Sequence, residues 1–548
     1  MGKTVIVGGV AGGATAAARL RRLDESAEIV IFERGGYVSF ANCGLPYHIG
    51  GVIAQRDRLL LQTVEGFDAR YRVDVRLRSE VRGINRTQRT VSVTELETGR
   101  EYEESYDSLI LSPGARPQVP PADADATERI FTLHTIADMD DILSFVAENR
   151  PTRAVVMGGG FVGIEAAENL VKAGLKVTLI QRSAQVLPPL DPEMATWVHT
   201  ELRENGVRLL LESPVGGTRQ KDDGLAIELT HGKTIETDFL VAAIGVRPVH
   251  ELAVAAGLTV GERGGIVTDE HMRTSDPNIY AVGDAVEVKE FVSHTKSLIA
   301  LAGPANKQGR IAADNICGIP SVYKGTQGSA VIKVFGVTAA MTGINEKTAK
   351  RLALDFDKIY FFASNHAGYY PDARDMVVKV IFENGSGRIL GGQIIGYEGT
   401  DKRCDVLAMA IRAGMTAFDL TELELCYAPP YSSAKDPINI AGYMIENLLT
   451  GKSHQFHWHD IDSLPRDGSA TLLDVRFPHE YVRDHIDGFV NIPVDELRAR
   501  IDEIEPGKPV CLICHIGLRS YIASRILAQH GFSVSHLCGG YRFYQSIC

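Results

Sequence analysis

The fold of this chain is set by the stretch Arg153–Arg182, RAVVMGGGFVGIEAAENLVKAGLKVTLIQR. A short β-rich run leads into a glycine-rich turn, a helix-forming segment follows, and a second apolar run closes the unit. The same order occurs at 3–34, KTVIVGGVAGGATAAARLRRLDESAEIVIFER. Such a unit binds a pyrophosphate at the N-terminus of its helix. The repetition therefore predicts two dinucleotide-binding units on one chain.

The first glycine-rich turn departs from the G-x-G-x-x-G pattern, because Val10 stands where the middle glycine is expected. Gly8 and Gly13 remain for the tight turn and the helix–strand packing, and Gly12 leaves room near the pyrophosphate. Glu33 ends the second strand, where a carboxylate can bind a ribose hydroxyl. Close packing without a ligand is the alternative interpretation of this turn.

The second turn has all three glycines of the pattern, Gly158, Gly160 and Gly163. At its ribose position stands Gln181, followed by Arg182, so strict selection of NADH is not indicated. Arg182 either accepts the extra phosphate of NADPH or faces water. The choice between NADH and NADPH as the electron donor stays open. We lean slightly to a site that tolerates NADH and uses both nucleotides.

Three further segments follow strands. YDSLILSPGARP, Tyr106–Pro117, and TDFLVAAIGVRP, Thr237–Pro248, are two versions of a strand that ends in a Gly/Pro turn. TSDPNIYAVGDAVE, Thr274–Glu287, places Asp284 at a strand–helix turn, where it can bond a ribityl hydroxyl of a flavin while the helix dipole faces the flavin phosphate. A metal site is a weaker interpretation, since no partner ligands stand at suitable spacing.

Composition excludes several classes of function. The 548 residues suggest about three or four domains, and 45% hydrophobic and 23% charged residues are ordinary for a globular chain. The net charge of -12 argues against a general affinity for nucleic acid or anionic membranes. No apolar run approaches the ~18 residues that span a bilayer. Eight cysteines are too few for a disulfide scaffold and indicate cytosolic thiols, so we expect a cytoplasmic protein without a signal peptide.

The stretch YVSFANCGLPYHIGG, Tyr37–Gly51, holds a single cysteine, Cys43. His48 stands where a second cysteine would give a dithiol. Cys43 is either a redox catalyst that takes its partner sulfur from a substrate or a buried thiol in an apolar turn.

Together, the two glycine-rich turns, Glu33, LSPGARP, AAIGVRP and TSDPNIYAVGDA resemble the FAD- and NAD(P)H-dependent pyridine nucleotide–disulfide oxidoreductases over about residues 1–445. The resemblance implies an α/β chain with two Rossmann-like units and an α+β dimerisation domain, and hence a homodimer. It implies that FAD is bound by Gly8, Ala11, Gly12, Gly13, Glu33, Arg34, Asn42, Ser112, Gly114, Gly283, Asp284 and Ala302. It implies that NAD(P)H is bound by Gly158, Gly160, Phe161, Val162, Gly163, Glu165, Gln181, Arg182 and Gly245.

SFANCGLPY resembles the single-cysteine branch of that family: coenzyme A disulfide reductases, CoA-persulfide or polysulfide reductases, and NADH oxidases and peroxidases. A reductase of CoA species needs cations for the CoA phosphates, and Arg19 and Arg22 share one face of the first helix. The resemblance implies that CoA is bound by Thr15, Arg19, Arg22, Ser39, Asn42, Asn306 and Lys435. The best-known members tend to have His where this chain has Asn306, and a solvated charge run is the alternative for the arginines.

Two tyrosines of the partner subunit approach the catalytic cysteine in CoA disulfide reductases. By motif position, these correspond to Tyr369 in HAGYYPDA and Tyr427 in CYAPPYSSAKDPIN. Their hydroxyls can protonate a leaving thiolate or orient a persulfide. Packing at an interface is at least an equal interpretation for Tyr370 and Tyr431.

The last ~90 residues resemble a single rhodanese domain, a size that folds alone. Its key segment runs CHIGLRS from Cys514, with His515, Gly517 and Arg519 in a loop that opens a helix. Loop N–H groups and the helix dipole would stabilise a Cys514 persulfide, and Arg519 would add positive charge. Asp474 and Arg476 are expected to brace the fold, and a vestigial, noncatalytic domain is the alternative.

These features predict an FAD-dependent reduction of CoA persulfide, polysulfide and CoA disulfide by NAD(P)H through Cys43, with sulfane sulfur carried by Cys514. The alternatives are an NADH oxidase or peroxidase with a Cys43 sulfenic acid, and a noncatalytic flavin redox sensor or sulfur carrier. We expect coenzyme A as substrate carrier or bound group, and a flexible linker near 450–460. The predicted domains are FAD-binding (1–117 and 243–325), NAD(P)H-binding (118–242), dimerisation (326–447), linker (448–460) and rhodanese (461–548).

Overall fold

The computed structural model describes residues 2–547. The chain divides into two compact units. The first comprises the residues up to Leu187 together with Leu202–Gly328, and the second comprises Pro188–Glu201 with the residues from Ser329 onward. Within 2–547, no helix has both the length and the apolar character that crossing a membrane requires.

The first unit contains two parallel five-stranded sheets, which confirms the predicted pair of Rossmann-like units. One sheet has the strand order Ile279–Ala281, Ser108–Leu111, Lys3–Val7, Glu28–Phe32, Asp74–Arg76. The other has the order Arg208–Leu210, Lys176–Ile180, Arg153–Met157, Phe239–Ala242, Ile130–Phe131. Both central strands are almost fully buried, as expected of parallel strands covered on two faces.

Smaller sheets and helices complete this unit. The sheets pair Ser79–Asn85, Thr90–Glu95 and Glu101–Ser105; Val215–Lys221, Gly224–Leu229 and Thr234–Thr237; Ile266–Val267, Val286–Lys289 and Lys296–Ser297; and Ala115–Pro117 with Val246–Pro248. The helices are Ala11–Leu23, Leu45–Ile49, Val64–Tyr71, Ile136–Asn149, Phe161–Lys172, Glu251–Ala255 and Ala302–Ile316.

The second unit contains the predicted antiparallel sheet, in the order Ala330–Val334, Val337–Gly343, Ile389–Gly396, Asp375–Glu383, Phe356–Ser364. Its helices are Glu346–Arg351, Thr400–Ala413, Ala417–Thr421 and Pro437–Leu449. The segment Pro188–Glu201, in which the helix Pro192–Glu204 begins, packs with this sheet. The sequence predicts that this segment belongs to the NAD(P)H-binding domain 118–242, whereas in the structure it groups with the second unit.

A physical cause for this placement lies in a buried ionic cluster. Lys379, on the central strand Asp375–Glu383, places its ammonium 2.7 Å from Asp191, 2.5 Å from Glu193 and 2.7 Å from Glu346. Three carboxylates within 4.8 Å of one another resemble a cation site, but here the Lys379 ammonium already bonds all three, and Lys350 and Lys358 add positive charge at Glu346. The cluster fastens the segment 188–201 to the sheet.

The C-terminal part of the second unit forms a parallel sheet in the order Gln455–Phe456, Val534–Leu537, Val510–Ile513, Thr471–Asp474, Val490–Asn491. Its helices are Pro478–Arg483, Leu518–Gln529 and Gly540–Gln545. The residues predicted as a flexible linker instead make hydrogen bonds with both neighbouring sheets. Gln455–Phe456 is an edge strand of this sheet, and the side chains of Gln455 and His457 bond Asp357 of the antiparallel sheet.

Candidate active site

The residues expected to bind FAD follow the carboxyl ends of neighbouring parallel strands. Gly8–Gly13 follow Lys3–Val7, Ser112 and Gly114 follow Ser108–Leu111, and Asp284 follows Ile279–Ala281. Because parallel strands end at one edge, these segments meet where ligands bind in such sheets. Arg34 follows Glu28–Phe32 and is exposed, and Ala302, also exposed, begins the helix Ala302–Ile316.

The first turn fits a dinucleotide in spite of Val10. Glu33 accepts the N–H of Gly9 at 2.9 Å with one carboxylate oxygen and the N–H of Gly35 at 2.7 Å with the other, which holds the carboxylate at the strand end. A Cβ on Gly13 would lie 1.9 Å from the carbonyl oxygen of Gly8, so only glycine lets this helix pack so closely. Val10 itself stands at the N-cap of Ala11–Leu23.

The donor and acceptor chemistry near Asp284 also fits a flavin. Gln308 accepts the N–H of Gly283 at 2.7 Å and so fixes the turn, while the Asp284 carboxylate makes no hydrogen bond with residues 2–547. Burial raises the pKa of Asp284, and His134 partly opposes that effect. A half-buried carboxylate without a donor is suited to a ligand hydroxyl, as the ribityl chain of FAD would supply.

The second turn repeats the geometry of the first. Gln181 accepts the N–H of Gly159 at 3.0 Å, in the place that Glu33 holds in the first unit, and its amide group donates to Ser183 at 2.7 Å. A Cβ on Gly160 would meet nothing within 4 Å, so the turn leaves open space in front of the helix Phe161–Lys172. Arg182 is exposed and has no ion pair within the described chain. These residues fit the pyrophosphate and ribose of NAD(P)H.

The remaining residues expected at this nucleotide lie close to the same turn. Phe161 and Val162 open the helix, with 43% of Val162 exposed, and Gly245 follows the strand Phe239–Ala242. Gly245 has a φ of 109°, which favours glycine there.

Cys43 lies in the short 3₁₀ turn Asn42–Gly44, ahead of the helix Leu45–Ile49. The residue is exposed, and its Sγ lies 3.7 Å from Oδ1 of Asn42. Enough protein surrounds the thiol that burial raises its pKa, and the carboxylates of Glu165 and Asp284 raise it further. The negative charges of two carboxylates, one from each nucleotide-binding half, therefore act on the thiol. His48, at the position of a second cysteine, donates from Nδ1 to the carbonyl of Ile53 at 2.6 Å.

Sequence reasoning missed Tyr47 as a site residue. Its hydroxyl donates to Glu165 at 3.0 Å and so joins the helix Leu45–Ile49, which follows the Cys43 turn, to the helix Phe161–Lys172. Burial raises the pKa of Glu165, whereas the hydrogen bond from Tyr47 opposes this effect. Only the position of Tyr47, shortly after Cys43 in the sequence, could have indicated this role.

Arg19, on the helix Ala11–Leu23, is expected to bind a CoA phosphate. In the structure its guanidinium is paired with Asp314 at 2.7 Å, so its charge is already compensated. Asp314 stands far along the sequence, and the pairing arises because the helices Ala11–Leu23 and Ala302–Ile316 pack closely. The same packing brings together two residues predicted for CoA: Thr15 donates to Asn306 at 2.8 Å. Arg22 is exposed and has no ion pair with residues 2–547.

Ser39 has a φ of 46°, and its N–H donates to the carbonyl of Gly9 at 2.9 Å, which ties the cysteine segment to the first turn. In the second unit, Lys435 is exposed just before the helix Pro437–Leu449.

Tyr369 and Tyr427, predicted to act together, meet in the second unit with hydroxyl oxygens 2.9 Å apart. Tyr369 is 77% and Tyr427 48% exposed, so both hydroxyls are accessible. The hydrogen bond to Tyr427 raises the pKa of Tyr369, which keeps this hydroxyl protonated. Tyr427 also lines a cavity of about 870 Å³ together with Tyr370 and Tyr431.

Cys514 follows the strand Val510–Ile513 and opens the loop before the helix Leu518–Gln529. Its side chain is buried, and the N–H of Gly517 donates to Sγ at 3.1 Å. Arg519 is paired by two hydrogen bonds with Glu480, at 2.6 and 2.8 Å. The sequence indicated a free positive charge at Arg519, and the structure corrects this, because the distant Glu480 neutralises it.

Comparisons with known proteins agree with this geometry. Residues 2–309 match the family model "Pyridine nucleotide-disulphide oxidoreductase", 329–437 match its dimerisation domain, and 458–546 match the rhodanese-like domain. A coenzyme A disulfide reductase of Staphylococcus epidermidis is 35% identical over 444 residues, 81% of this chain and 99% of the relative.

Two solved structures cover nearly the whole chain. Reduced CoADR-RHD of Bacillus anthracis is 48% identical with a TM-score of 0.97, over 100% of this chain and 98% of that one. A NAD-dependent persulfide reductase from A. fulgidus is 39% identical with a TM-score of 0.91, over 99% of each chain. The chain therefore belongs to the pyridine nucleotide-disulphide oxidoreductases, a family of NAD(P)H-dependent flavoprotein reductases, and carries a rhodanese-like domain after its dimerisation domain.

Proposed function

We propose that this protein reduces CoA persulfide, CoA disulfide and polysulfides with NAD(P)H, by way of FAD and the single thiol of Cys43. The observation that carries the proposal is an exposed thiol whose pKa is raised by the carboxylates of Glu165 and Asp284, and whose potential dithiol partner is replaced by His48. The relatives named as coenzyme A disulfide reductase and persulfide reductase support it. The free cysteines support a reducing, cytoplasmic setting.

In the proposed reaction, the Cys43 thiolate attacks the carbon-bound sulfur of a CoA persulfide. The S–S bond of the substrate breaks, hydrosulfide leaves with the electron pair, and a Cys43–S–S–CoA disulfide remains. When bound, FAD supplies the two electrons, taken from NAD(P)H, that cleave this disulfide. CoA thiol and the Cys43 thiolate result, so one persulfide and one NAD(P)H give one CoA thiol, one hydrosulfide and NAD(P)⁺.

The surroundings of Cys43 decide when its thiolate forms. Because burial, Glu165 and Asp284 all raise its pKa, the thiol resists ionisation in the free protein. Loss of charge at either carboxylate lowers that resistance. A proton taken up by Glu165 against its Tyr47 partner would serve this purpose.

The CoA carrier is proposed to bind through Arg22, which is exposed, with Thr15 and Asn306 supplying neutral contacts. Lys435, exposed in the second unit, stays a predicted CoA contact. Arg19 contributes to a phosphate site only where a phosphate competes with Asp314.

Tyr369 and Tyr427 are proposed to serve the Cys43 of a partner subunit in a homodimer, in keeping with the dimerisation domain. Within the pair, one hydroxyl donates to the other, which leaves one free O–H to protonate a departing thiolate or hydrosulfide.

The test is anaerobic turnover with CoA persulfide, CoA disulfide, glutathione persulfide and inorganic polysulfide, with NAD(P)H oxidation and hydrosulfide release followed together. We expect one hydrosulfide per NAD(P)H from CoA persulfide. Reduction of CoA disulfide alone would make the protein a disulfide reductase with an accessory rhodanese domain. Rapid NADH-dependent oxygen consumption in air, with no response to either CoA species, would indicate an oxidase instead.

A further inference from the structure

The loop that carries Cys514 is held rigidly by the last helix of the fold. The N–H of Tyr541 donates to the carbonyl of Cys514 at 2.7 Å, and the N–H of Arg542 donates to the carbonyl of His515 at 2.9 Å. With the N–H of Gly517 on Sγ, the backbone fixes where a sulfane sulfur on Cys514 would project. The selection of a sulfur donor therefore depends on the side chains around the loop.

The cation of the loop is cancelled by a carboxylate on a neighbouring helix. Glu480 binds Arg519 through both oxygens, and one of them also accepts the N–H of Phe477 at 3.0 Å. The hydrogen bonds from Arg519 lower the pKa of Glu480 to about 2, so the carboxylate is ionised at neutral pH. The pair presents no net charge to a ligand.

The other two arginines whose charge reaches the loop are also paired. Arg476 bonds Asp474, with a shortest distance of 2.7 Å, and Arg542 bonds Asp375 at 2.6 Å. The pKa of His515 is lowered, first by burial and then by these arginines, although Glu480 opposes that effect. At neutral pH, the three cations and three anions cancel, and the imidazole adds no charge.

The rim of the loop is apolar. Leu518 is 61% and Ile522 42% exposed, and the two share one face of the helix Leu518–Gln529. Phe477 is 40% exposed, and the Arg519 guanidinium lies over its ring, 5.0 Å from the centroid. A doubly charged anion gains little binding free energy from such a rim, because its charge is left without a partner. A thioalkyl chain can bury apolar surface against the rim.

We propose that Cys514 exchanges sulfane sulfur with organic persulfides of low charge at their reactive end and discriminates against compact dianions such as thiosulfate, and that Glu480 sets this specificity by neutralising Arg519. The inference rests on the proposed function, in which Cys514 carries sulfane sulfur. In the favoured step, the Cys514 thiolate attacks the outer sulfur of R–S–SH. The S–S bond of the donor breaks, R–S⁻ leaves with the electron pair, and Cys514–S–SH remains.

The experiment compares two donors on the full-length flavoprotein in a Cys43→Ser background, which keeps the reductase centre from consuming the sulfur. Pantetheine persulfide presents an uncharged thioalkyl end, and thiosulfate presents a dianion. Loading of Cys514 is measured by mass spectrometry after alkylation, and release is measured as thiocyanate after cyanide is added. We expect pantetheine persulfide to load Cys514 at least about tenfold faster than thiosulfate.

Glu480→Gln keeps a hydrogen-bond acceptor for Phe477 but frees the charge of Arg519, so loading by thiosulfate should rise about tenfold. Arg519→Met leaves Glu480 unpaired and should slow thiosulfate below the parent rate. Glu496→Gln, which removes an equal charge from an exposed residue paired with Arg500, is the matched control and should change neither rate.

Equal loading by the two donors in the parent protein, or an unchanged thiosulfate rate in Glu480→Gln, would overturn the specificity while leaving the carrier role of Cys514 intact. Loading by neither donor would overturn the specificity and the carrier role together. Because Arg519→Met reverses the charge change of Glu480→Gln, the two variants also separate a charge effect from a general loss of fold.

Discussion

Replacing Lys379 by methionine should lower the free energy of unfolding of the second unit by about 3–5 kcal/mol, the usual loss when a buried ion pair is left with unpaired charge. Lys379 is fully buried, and its ammonium is bonded to Asp191, Glu193 and Glu346. Methionine matches much of the volume of the lysine stem, so the change tests charge more than packing.

The magnitude follows from what remains around each carboxylate. Glu346 keeps two other ammonium groups, those of Lys350 and Lys358, whereas Asp191 and Glu193 lose their ammonium partner within the cluster. Burial alone would raise the pKa of Glu346, but Lys379 and the other lysines hold it well below its usual range. In the wild type, this carboxylate therefore adds stability above its unfolded pKa, and that stability is lost as the pH falls.

The variant should lose part of this pH dependence. Without the Lys379 ammonium, the pKa of Glu346 is held down less, so the loss of stability should be full at neutral pH and should shrink as the pH falls below about 4, the ordinary range of a Glu carboxyl. Urea unfolding can be followed by tryptophan fluorescence, because both tryptophans, Trp197 and Trp458, lie in the second unit. Lys333→Met, an exposed change on the same sheet, is the control. A loss below about 1 kcal/mol, or one independent of pH, would refute the reasoning.

Three further variants test the site. Tyr47→Phe removes the donor to Glu165, which should raise the pKa of Glu165 further and shift the pH profile of NADH-dependent flavin reduction upward; an unchanged profile would separate Glu165 from that step. Tyr427→Phe should lower kcat with CoA persulfide by about tenfold to a hundredfold while flavin reduction by NADH keeps its rate, and equal losses in both steps would point to a structural role for the bond to Tyr369. Cys514→Ser should abolish thiocyanate formation and leave CoA disulfide turnover intact; full activity with every persulfide donor would remove this residue from the mechanism.

The parts of the fold that depend on local backbone geometry could be predicted from the sequence. The glycines of both turns predict that helix and strand pack closely. The structure has this close packing, since a Cβ on Gly163 would lie 1.8 Å from the carbonyl oxygen of Gly158. The departure at Val10 is tolerated, since this residue occupies the N-cap and leaves the packing to Gly13.

Features that depend on contacts between distant residues could not be predicted. The pairing of Arg19 with Asp314 and of Arg519 with Glu480 joins residues that no local pattern connects. The strand Gln455–Phe456 is too short to show a period of two, so its polar neighbours indicated a linker. The same holds for the candidate active site. Its motif predicts Cys43 as the site cysteine, but the hydrogen bond between Tyr47 and Glu165 joins residues far apart in the sequence and could be found only in the structure.

The most direct test of the central claim is a single anaerobic turnover of the NADH-reduced protein with CoA persulfide, quenched in acid and examined by mass spectrometry. The account predicts a Cys43–S–S–CoA adduct that forms as hydrosulfide is released and disappears as the flavin is reoxidised, with one hydrosulfide per NADH. Cys43→Ser should show neither the adduct nor the hydrosulfide. Hydrosulfide release at the wild-type rate from Cys43→Ser would contradict the claim that this thiol is the reducing centre.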